Sequence, residues 1–575
     1  MSKTLKGIGS SSGISFAKAF LLKNPIFNIS NTKITNIDEE IKKVKKAFLI
    51  SSEQLENIKK LTIDKIGEDK AIIFDAHIQI INDPEALKEI EIKINKLYNG
   101  AFAIEETFQN IFNIFNSMQD PYFKERASDV LDVKQRILAN YLDIKLPDLL
   151  SINTEVIIVS TDLTPSQTAL LDKKYVKGFL TDVGGRTSHA AIMARTMEIP
   201  AVLGLKNITS LIQDGEMVAL NGSNGIVEIL PENINDWKRQ QDIFELDKKE
   251  LKKYVDKQAI TLDGHHVEVE ANIGKPKDAD NLINYGGNGV GLYRSEFLYM
   301  DSNDWPSEDE QFEAYKYVLE SQKDKMVVVR TLDIGGDKNL NYYKFAHEDN
   351  PFLGYRAIRL CLDKKDIFKT QLRALIRASA FGKLGIMFPM ISTIDEIIEA
   401  KKILKSCYGE FENQGVKTND IKIGMMVEVP STVFLADKFA EHVDFFSIGT
   451  NDLIQYTFAV DRMSEVISHL YQPNNPSLLR AIKMVIEGAS KHNVKVAMCG
   501  EMAGDILSIP ILIGLANKGL DALSMSASSI LKAKKIISSM SHAECKELAN
   551  IAINMSTANE VNDLVSSFLE KKNLI

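Results

Sequence analysis

The spacing of apolar positions divides the chain into regions of different period. Residues 4–22 alternate small and apolar side chains, the period-2 pattern of a strand. From 36 to 143 the period lengthens. IDEEIKKVKKAFLISSEQLENIKKL, AIIFDAHIQIIND and ALKEIEIKINKLY place apolar residues every three or four positions. AFAIEETFQNIFNIFNSMQDPYFKERASDVLDVKQRILANYL does the same, with Asp-Pro at 120–121 as punctuation. This pattern predicts an all-helical insertion of about four helices. Short β-rich runs follow (TEVIIVSTDL, KKYVKGFLTDVGG, EIPAVLG, GEMVALNG, GIVEILP), bounded by Gly, Pro, Asn and Asp and alternating with the helical pieces SQTALLDK and SHAAIMARTM. Residues 1–35 and 144–230 therefore form a small α/β domain interrupted by the 36–143 insertion, and 231–259 read as one long polar helix, a connector and swivel.

Residues 260–575 hold eight short apolar strand candidates: HVEVEANIG, NGVGLYRSE, KMVVVRTLDIGG, LGIMFPMI, KIGMMVEVP, VDFFSIGTND, VKVAMCGE and LDALSMS. Helical patterns separate most of them, and the strands are apolar on both faces, as strands covered on both sides are. Eight β-then-α units in about 300 residues predict a (β/α)₈ TIM barrel. The fold expected is multidomain α/β: an α/β domain with a helical insertion, a linker helix and a C-terminal barrel. Several strands end on a residue with chemical capacity (Arg294, Arg330, Glu428, Asn451 with Asp452, Cys499), and strand C-terminal ends are where such barrels carry their sites.

Composition narrows the partners. Among 575 residues, 69 Lys and Arg against 78 Asp and Glu leave a net charge of −9, which argues against nucleic acid as the main partner. No apolar run approaches a membrane span, and the N-terminal stretch lacks the apolar core of a signal peptide, so no membrane insertion is expected. Cys361, Cys407, Cys499 and Cys545 stand far apart without a CxxC, which fits a reducing, cytoplasmic setting and excludes a Cys-based zinc site. Only 13 of the 69 basic residues are Arg, so an Arg here more often marks a need for the bidentate fork.

The chemistry gathers in two clusters. On the barrel, Arg294, Arg330 and Arg462, with Arg356 as a fourth candidate, are forks suited to a small anion bearing phosphate and carboxylate, although any one of them alone is also a plain surface Arg. Glu428 and Asp452 end two adjacent strands; each alone could be a structural rim carboxylate, but two with open positions suit Mg²⁺. Cys499 is either a small buried hydrophobe or, at the rim beside an anion site, a proton donor to a substrate carbon. The second cluster is GGRTSHAAIMAR. Gly184-Gly185 frees the backbone, Thr187 or Ser188 caps a helix starting near His189, and the dipole there keeps the imidazole neutral and nucleophilic towards phosphorus. The same N–H groups can hold a phosphoryl group, and Arg186 and Arg195 flank it.

GGRTSHAAIMAR, DFFSIGTNDLIQYTFAVDR, DNPFLGYRAIRL and VAMCGEMAGD together resemble enzyme I of the bacterial phosphoenolpyruvate-dependent sugar phosphotransferase system, from GISFAKAFLL to the end of the chain. The resemblance implies transfer of phosphoryl from phosphoenolpyruvate to an active-site His and then to the carrier protein HPr, dependence on Mg²⁺, and a homodimer formed through the C-terminal barrel. By motif, it makes His189 the phospho-acceptor, Glu428 and Asp452 the magnesium ligands, and Arg294, Arg330, Asn451 and Arg462 the phosphoenolpyruvate-binding residues. Cys499 becomes the acid that protonates the departing enolate, and Thr168 in DLTPSQTALL the residue that orients His189. GEDKAIIFDAH and KERASDV match the family's HPr-binding insert, which brings in Glu68, Asp69 and Arg126. Ser295 stands where Thr is usual and Tyr355 where Trp is common; neither changes a charge.

Three other readings fit less well. A pyruvate phosphate dikinase or phosphoenolpyruvate synthase needs an ATP-binding domain before the His domain, and the 188 residues ahead of His189 carry no Gly-rich nucleotide loop. A barrel lyase acting through pyruvate enolate has no use for a His domain on a lever helix. A non-catalytic phospho-sensor is expected to lose the Cys or the carboxylates, which this chain keeps.

Overall fold

The computed structural model describes residues 2–575 except 24, 26, 67, 118–120, 148, 150, 151, 165, 166, 169, 186, 187, 281, 301, 337, 339, 463, 465 and 517; at 64–66, 68–70, 72, 73, 121–126, 128, 189, 192 and 196 the description is of the backbone alone. Two compact units follow one another, the first ending at Lys248 and the second running Lys249–Ile575.

The first unit is built on an eight-stranded sheet. Its strands are β1 (Lys3–Lys6), β2 (Ile8–Ser11), β3 (Ile14–Leu22), β4 (Val156–Ser160), β5 (Val176–Thr181), β6 (Ala201–Leu203), β7 (Met217–Asn221) and β8 (Ile226–Ile229), in the order β1-β8-β7-β3-β4-β5-β6-β2. The middle run β3-β4-β5-β6 is parallel and the outer strands pair antiparallel. The N-terminal stretch is thus three strands where the alternation predicts one. Gly7 and Gly13 make the breaks: a Cβ on Gly7 would lie 2.6 Å from the Leu203 carbonyl oxygen, and Gly13 has φ +133°. Each sheet face buries its own apolar layer, one including Phe179 and Ala190, the other Ile157 and Leu220.

Between β3 and β4 lie α1 (Ile37–Ile66), α2 (Glu68–Ile81), α3 (Pro84–Asn95), α4 (Gly100–Ser117) and α5 (Pro121–Leu142), five helices among the described residues where the pattern predicts about four, around a separate core holding Phe74, Phe108, Val130 and Ile137. The stretch SQTALLDK is helical at Gln167 and Thr168 and turns by Lys173; its residues 166 and 169 lie outside the described ones. α6 (His189–Thr196) follows β5, and α7 (Ile234–Lys252) is the long polar helix. Trp237 is the buried residue of α7 and its indole N–H donates to Glu228 Oε2 at 2.6 Å.

The second unit is a closed barrel of eight parallel strands: β9 (Glu268–Ile273), β10 (Val290–Arg294), β11 (Met326–Arg330), β12 (Lys383–Phe388), β13 (Ile421–Val427), β14 (Phe445–Ile448), β15 (Lys495–Met498) and β16 (Ala522–Met525), with β16 pairing back to β9. Outward residues such as Val269, Ala271 and Val327 join the large core beneath the surrounding helices. Inside, Leu292, Val328, Met387 and Met426 pack with Cys499 and close the barrel from within.

Candidate active site

The barrel's C-terminal mouth carries the predicted residues because each follows its strand directly. Arg294 ends β10, Arg330 ends β11, Glu428 follows β13 and Cys499 follows β15. Asn451 and Asp452 open α8 (Thr450–Phe458), the helix that starts two residues beyond β14. β13 and β14 are paired neighbours, so Glu428 and Asp452 stand on adjacent strand ends.

Arg330 is buried and already engaged. Its Nη2 meets Glu296, and Asp333 Oδ2 at 3.0 Å. Lys338 joins the same carboxylates, 3.0 Å from Glu296 Oε1 and 2.6 Å from Asp333 Oδ2. Arg330 Nη1 lies 3.8 Å from Met426 Sδ, and its Nε has no hydrogen-bond partner among the described residues. Burial opposes both charges, yet the facing cations outweigh it: Arg330 and Lys338 hold Glu296 below its ordinary range, and Arg330 and Arg356 hold Asp333 well below its own. Arg294 pairs through its backbone with β11, and its side chain makes no hydrogen bond or ion pair among the described residues, which leaves its fork available.

Arg356, a fourth fork in the sequence, is fully buried. It bridges Asp333 Oδ1 at 2.9 Å to Asp452 Oδ1 at 3.5 Å, and also donates to the Tyr456 hydroxyl at 3.3 Å. It therefore ties Asp333, after β11, to Asp452 at the start of α8. Arg462 reaches Asp452 at 4.0 Å and its backbone N–H donates to Gln455 Oε1 at 3.1 Å. Asn451 Oδ1 accepts the Glu501 N–H at 3.2 Å.

Glu428 is 1% exposed, and Oε1 accepts the Met390 N–H at 2.6 Å. A Cβ on Gly449 would lie 2.9 Å from its other oxygen, so the glycine makes room for the carboxylate. Burial, then the Asp452 and Asp333 carboxylates, push the Glu428 acid up to about 8. Crowded carboxylates facing a mouth are what a hard divalent cation relieves, and the donor set, all oxygen, fits Mg²⁺. No group of three or more His, Cys, Asp or Glu among the described residues could hold a metal alone, so such an ion would draw further ligands from substrate and water. Cys499 is 3% exposed, and burial pushes its thiol up to about 11, which keeps it protonated.

In the first unit, His189 is the first residue of α6, and the Ser188 side chain caps the helix by accepting the Ala191 N–H at 3.4 Å. The His189 side chain lies outside the described residues, as do Arg186 and Thr187. Arg195 is turned to the fold, donating to the Ser10 carbonyl at 3.2 Å. Thr168 is buried, and its N–H donates to the Thr164 carbonyl at 3.0 Å. Glu68 and Asp69 open α2 and Arg126 lies in the first turns of α5, with side chains outside the described residues.

Sequence reasoning missed Glu296, Asp333 and Lys338. The signal was present in YRSEF and TLDIGGDK, charged residues set directly after strands.

Comparison with known proteins matches three family descriptions along the chain: PEP-utilising enzyme, N-terminal, at 6–126; PEP-utilising enzyme, mobile domain, at 152–225; and PEP-utilising enzyme, PEP-binding domain, at 248–542. A phosphoenolpyruvate-protein phosphotransferase of Mycoplasma genitalium is 52% identical over 100% of both chains. Those of Mycoplasma capricolum and Staphylococcus carnosus are 54% and 51% identical over 99% of both chains. With such identity held from end to end and the charged mouth of the barrel in place, the chain belongs to the phosphoenolpyruvate-protein phosphotransferases, enzymes that move a phosphoryl group from phosphoenolpyruvate to protein.

Proposed function

We propose that the phosphoryl group passes from phosphoenolpyruvate to His189 and from there to a histidine of HPr. The observation that carries this reading is the convergence of Arg294, Arg330, Glu428, Asp452 and Cys499 on one end of the barrel, with a capped helix starting at His189 in the other unit. Arg294, Arg330, Asn451 and Arg462 hold the phosphate and carboxylate of the substrate. Glu428 and Asp452 hold Mg²⁺, which when bound supplies charge neutralisation on the phosphate oxygens. Thr168 orients the His189 ring. The imidazole nitrogen forms the P–N bond as the P–O bond to the enol oxygen breaks. The enolate electron pair then collapses to the ketone as C3 takes the Cys499 proton, leaving pyruvate and a thiolate that water reprotonates.

The 36–143 insertion is the docking platform for HPr, with Glu68, Asp69 and Arg126 on it, and α7 is the swivel between units. The barrel carries a homodimer contact. A cytoplasmic location is supported by the four free, buried cysteines. No helix among the described residues is long and apolar enough to cross a membrane.

The test is incubation with ³²P-labelled phosphoenolpyruvate and Mg²⁺. Acid-labile label on the protein, lost in His189→Ala, is expected; label at the unmodified level in that variant overturns the assignment.

A further inference from the structure

Inside the barrel, a polar seam runs between β9 and β16. Ser524 Oγ donates to Asn272 Oδ1 at 2.6 Å, and Asn272 Nδ2 donates to the main-chain carbonyl of Cys499 at 3.0 Å. Asn272 lies on β9, while Cys499 follows β15; β16 stands between those strands, so the amide reaches across a whole strand. It does so where the ladder runs out: β15 and β16 pair at Ala497–Ala522 and Met498–Leu523, and Cys499 is the next residue. On the other side, the Cys499 N–H donates to the Ile448 carbonyl at 3.1 Å, and Sγ sits 3.8 Å from the same oxygen. Beyond it, Gly500 is pressed on Thr450, where a Cβ would come within 1.8 Å of Oγ1. The Cys499–Gly500 peptide is therefore held on both faces, and Asn272 is the side chain that holds its oxygen.

We propose that Asn272, itself oriented by Ser524, is a positioning residue: by fixing the peptide plane after Cys499 it aims the thiol at one face of the enolate. This rests on the reading of Cys499 as the proton donor. An sp² carbon with two open faces takes its proton from a single direction only if the donor is aimed. A thiol on a freely turning peptide would let solvent compete for the other face. The Asn272 amide is suited to this task because one end donates to the carbonyl while the other accepts from Ser524, which sets which way the amide faces.

The test is a single turnover of (Z)-3-deuterated phosphoenolpyruvate in tritiated water with the full-length enzyme in excess, the pyruvate being trapped at once by reduction to lactate and analysed for methyl chirality. Asn272→Asp keeps the acceptor and the size but loses the donor. It is expected to give racemic methyl and a kcat lower by about tenfold, with the KM for phosphoenolpyruvate within twofold of the unmodified enzyme. Ser524→Ala, which leaves the donor but frees the amide, is expected to lose part of the chirality, and it carries the test if the Asp variant fails to fold. Chiral product from both variants, with racemic product from Cys499→Ala, overturns the positioning role and leaves the Cys499 reading standing. Chiral product from Cys499→Ala itself overturns that reading, and this proposal with it.

Discussion

The Arg356 guanidinium meets the Asp333 carboxylate at 2.9 Å with side chains 0% and 1% exposed. A buried pair of this kind adds modest net stability when intact, but breaking it leaves a charge without solvent or partner. Arg356→Met keeps the volume and strands Asp333 on Arg330 and Lys338 alone. A loss of about 3 kcal/mol is expected. It is read as the urea transition of the barrel by Trp305 fluorescence in a Trp237→Phe background, these being the chain's two tryptophans. A second change, Asp333→Asn, should return part of the loss, whereas two additive losses would mean that the pair is not coupled.

Glu270 points into the barrel interior from β9, 6% exposed, where a Cβ on Gly291 would lie 2.3 Å from its Oε2. Burial, then the neighbouring Glu268, raise its acid to about 7. The folded protein thus keeps a proton that the unfolded chain gives up near the ordinary value of 4.5, so the group's stability contribution is present below that value and is lost as pH rises to about 7. Glu270→Gln should flatten the decline and make the barrel more stable at pH 8, by about 3 kcal/mol at most. Parallel stability curves for the two proteins between pH 5 and 8 would rule out the shift.

All four cysteines are free and buried, and burial raises each thiol: Cys407 and Cys499 to about 11, Cys545 to about 12, and Cys361 further still. Thiolate is the reacting form, so at pH 7 burial leaves Cys499 in its unreactive thiol form. The native protein should react with less than one equivalent of a disulfide reagent over minutes, and with four in guanidinium. A fast single equivalent from the native form would show an exposed or acidic thiol.

The proposed docking role of the insertion separates two steps. A Glu68→Lys, Asp69→Lys double change should slow phosphoryl transfer to HPr several-fold, more at low salt, and spare labelling from phosphoenolpyruvate. An equal fall in both rates would make the insertion structural.

The barrel can be read from the chain because its strands are apolar on both faces and several of them end on, or just before, a residue with chemical capacity, as at Arg294, Glu428 and Cys499. What could not be read is which charges meet. Arg356 reads as one more fork for an anion, and the sequence does not show that it is fully buried with Asp333 and Asp452 as its partners. Asn272 was hidden for the converse reason: in EVEANI its neighbours suggest a plain strand, and its partners lie 227 and 252 residues away. Glycine breaks also escaped the period-2 pattern, since Gly7 and Gly13 read as small residues in an alternating run until Leu203 comes up beside the first.

The packed interior of the barrel imposes an order on traffic. Leu292, Val328, Met387 and Met426 are buried and pack with Cys499 inside the barrel, and among the described residues they close its interior beneath the strand ends. Whatever enters by the rim leaves by the rim. On the proposed reading, phosphoenolpyruvate, pyruvate and the transferred phosphoryl group all pass by that one opening, so loading and release share a single passage and take turns in it.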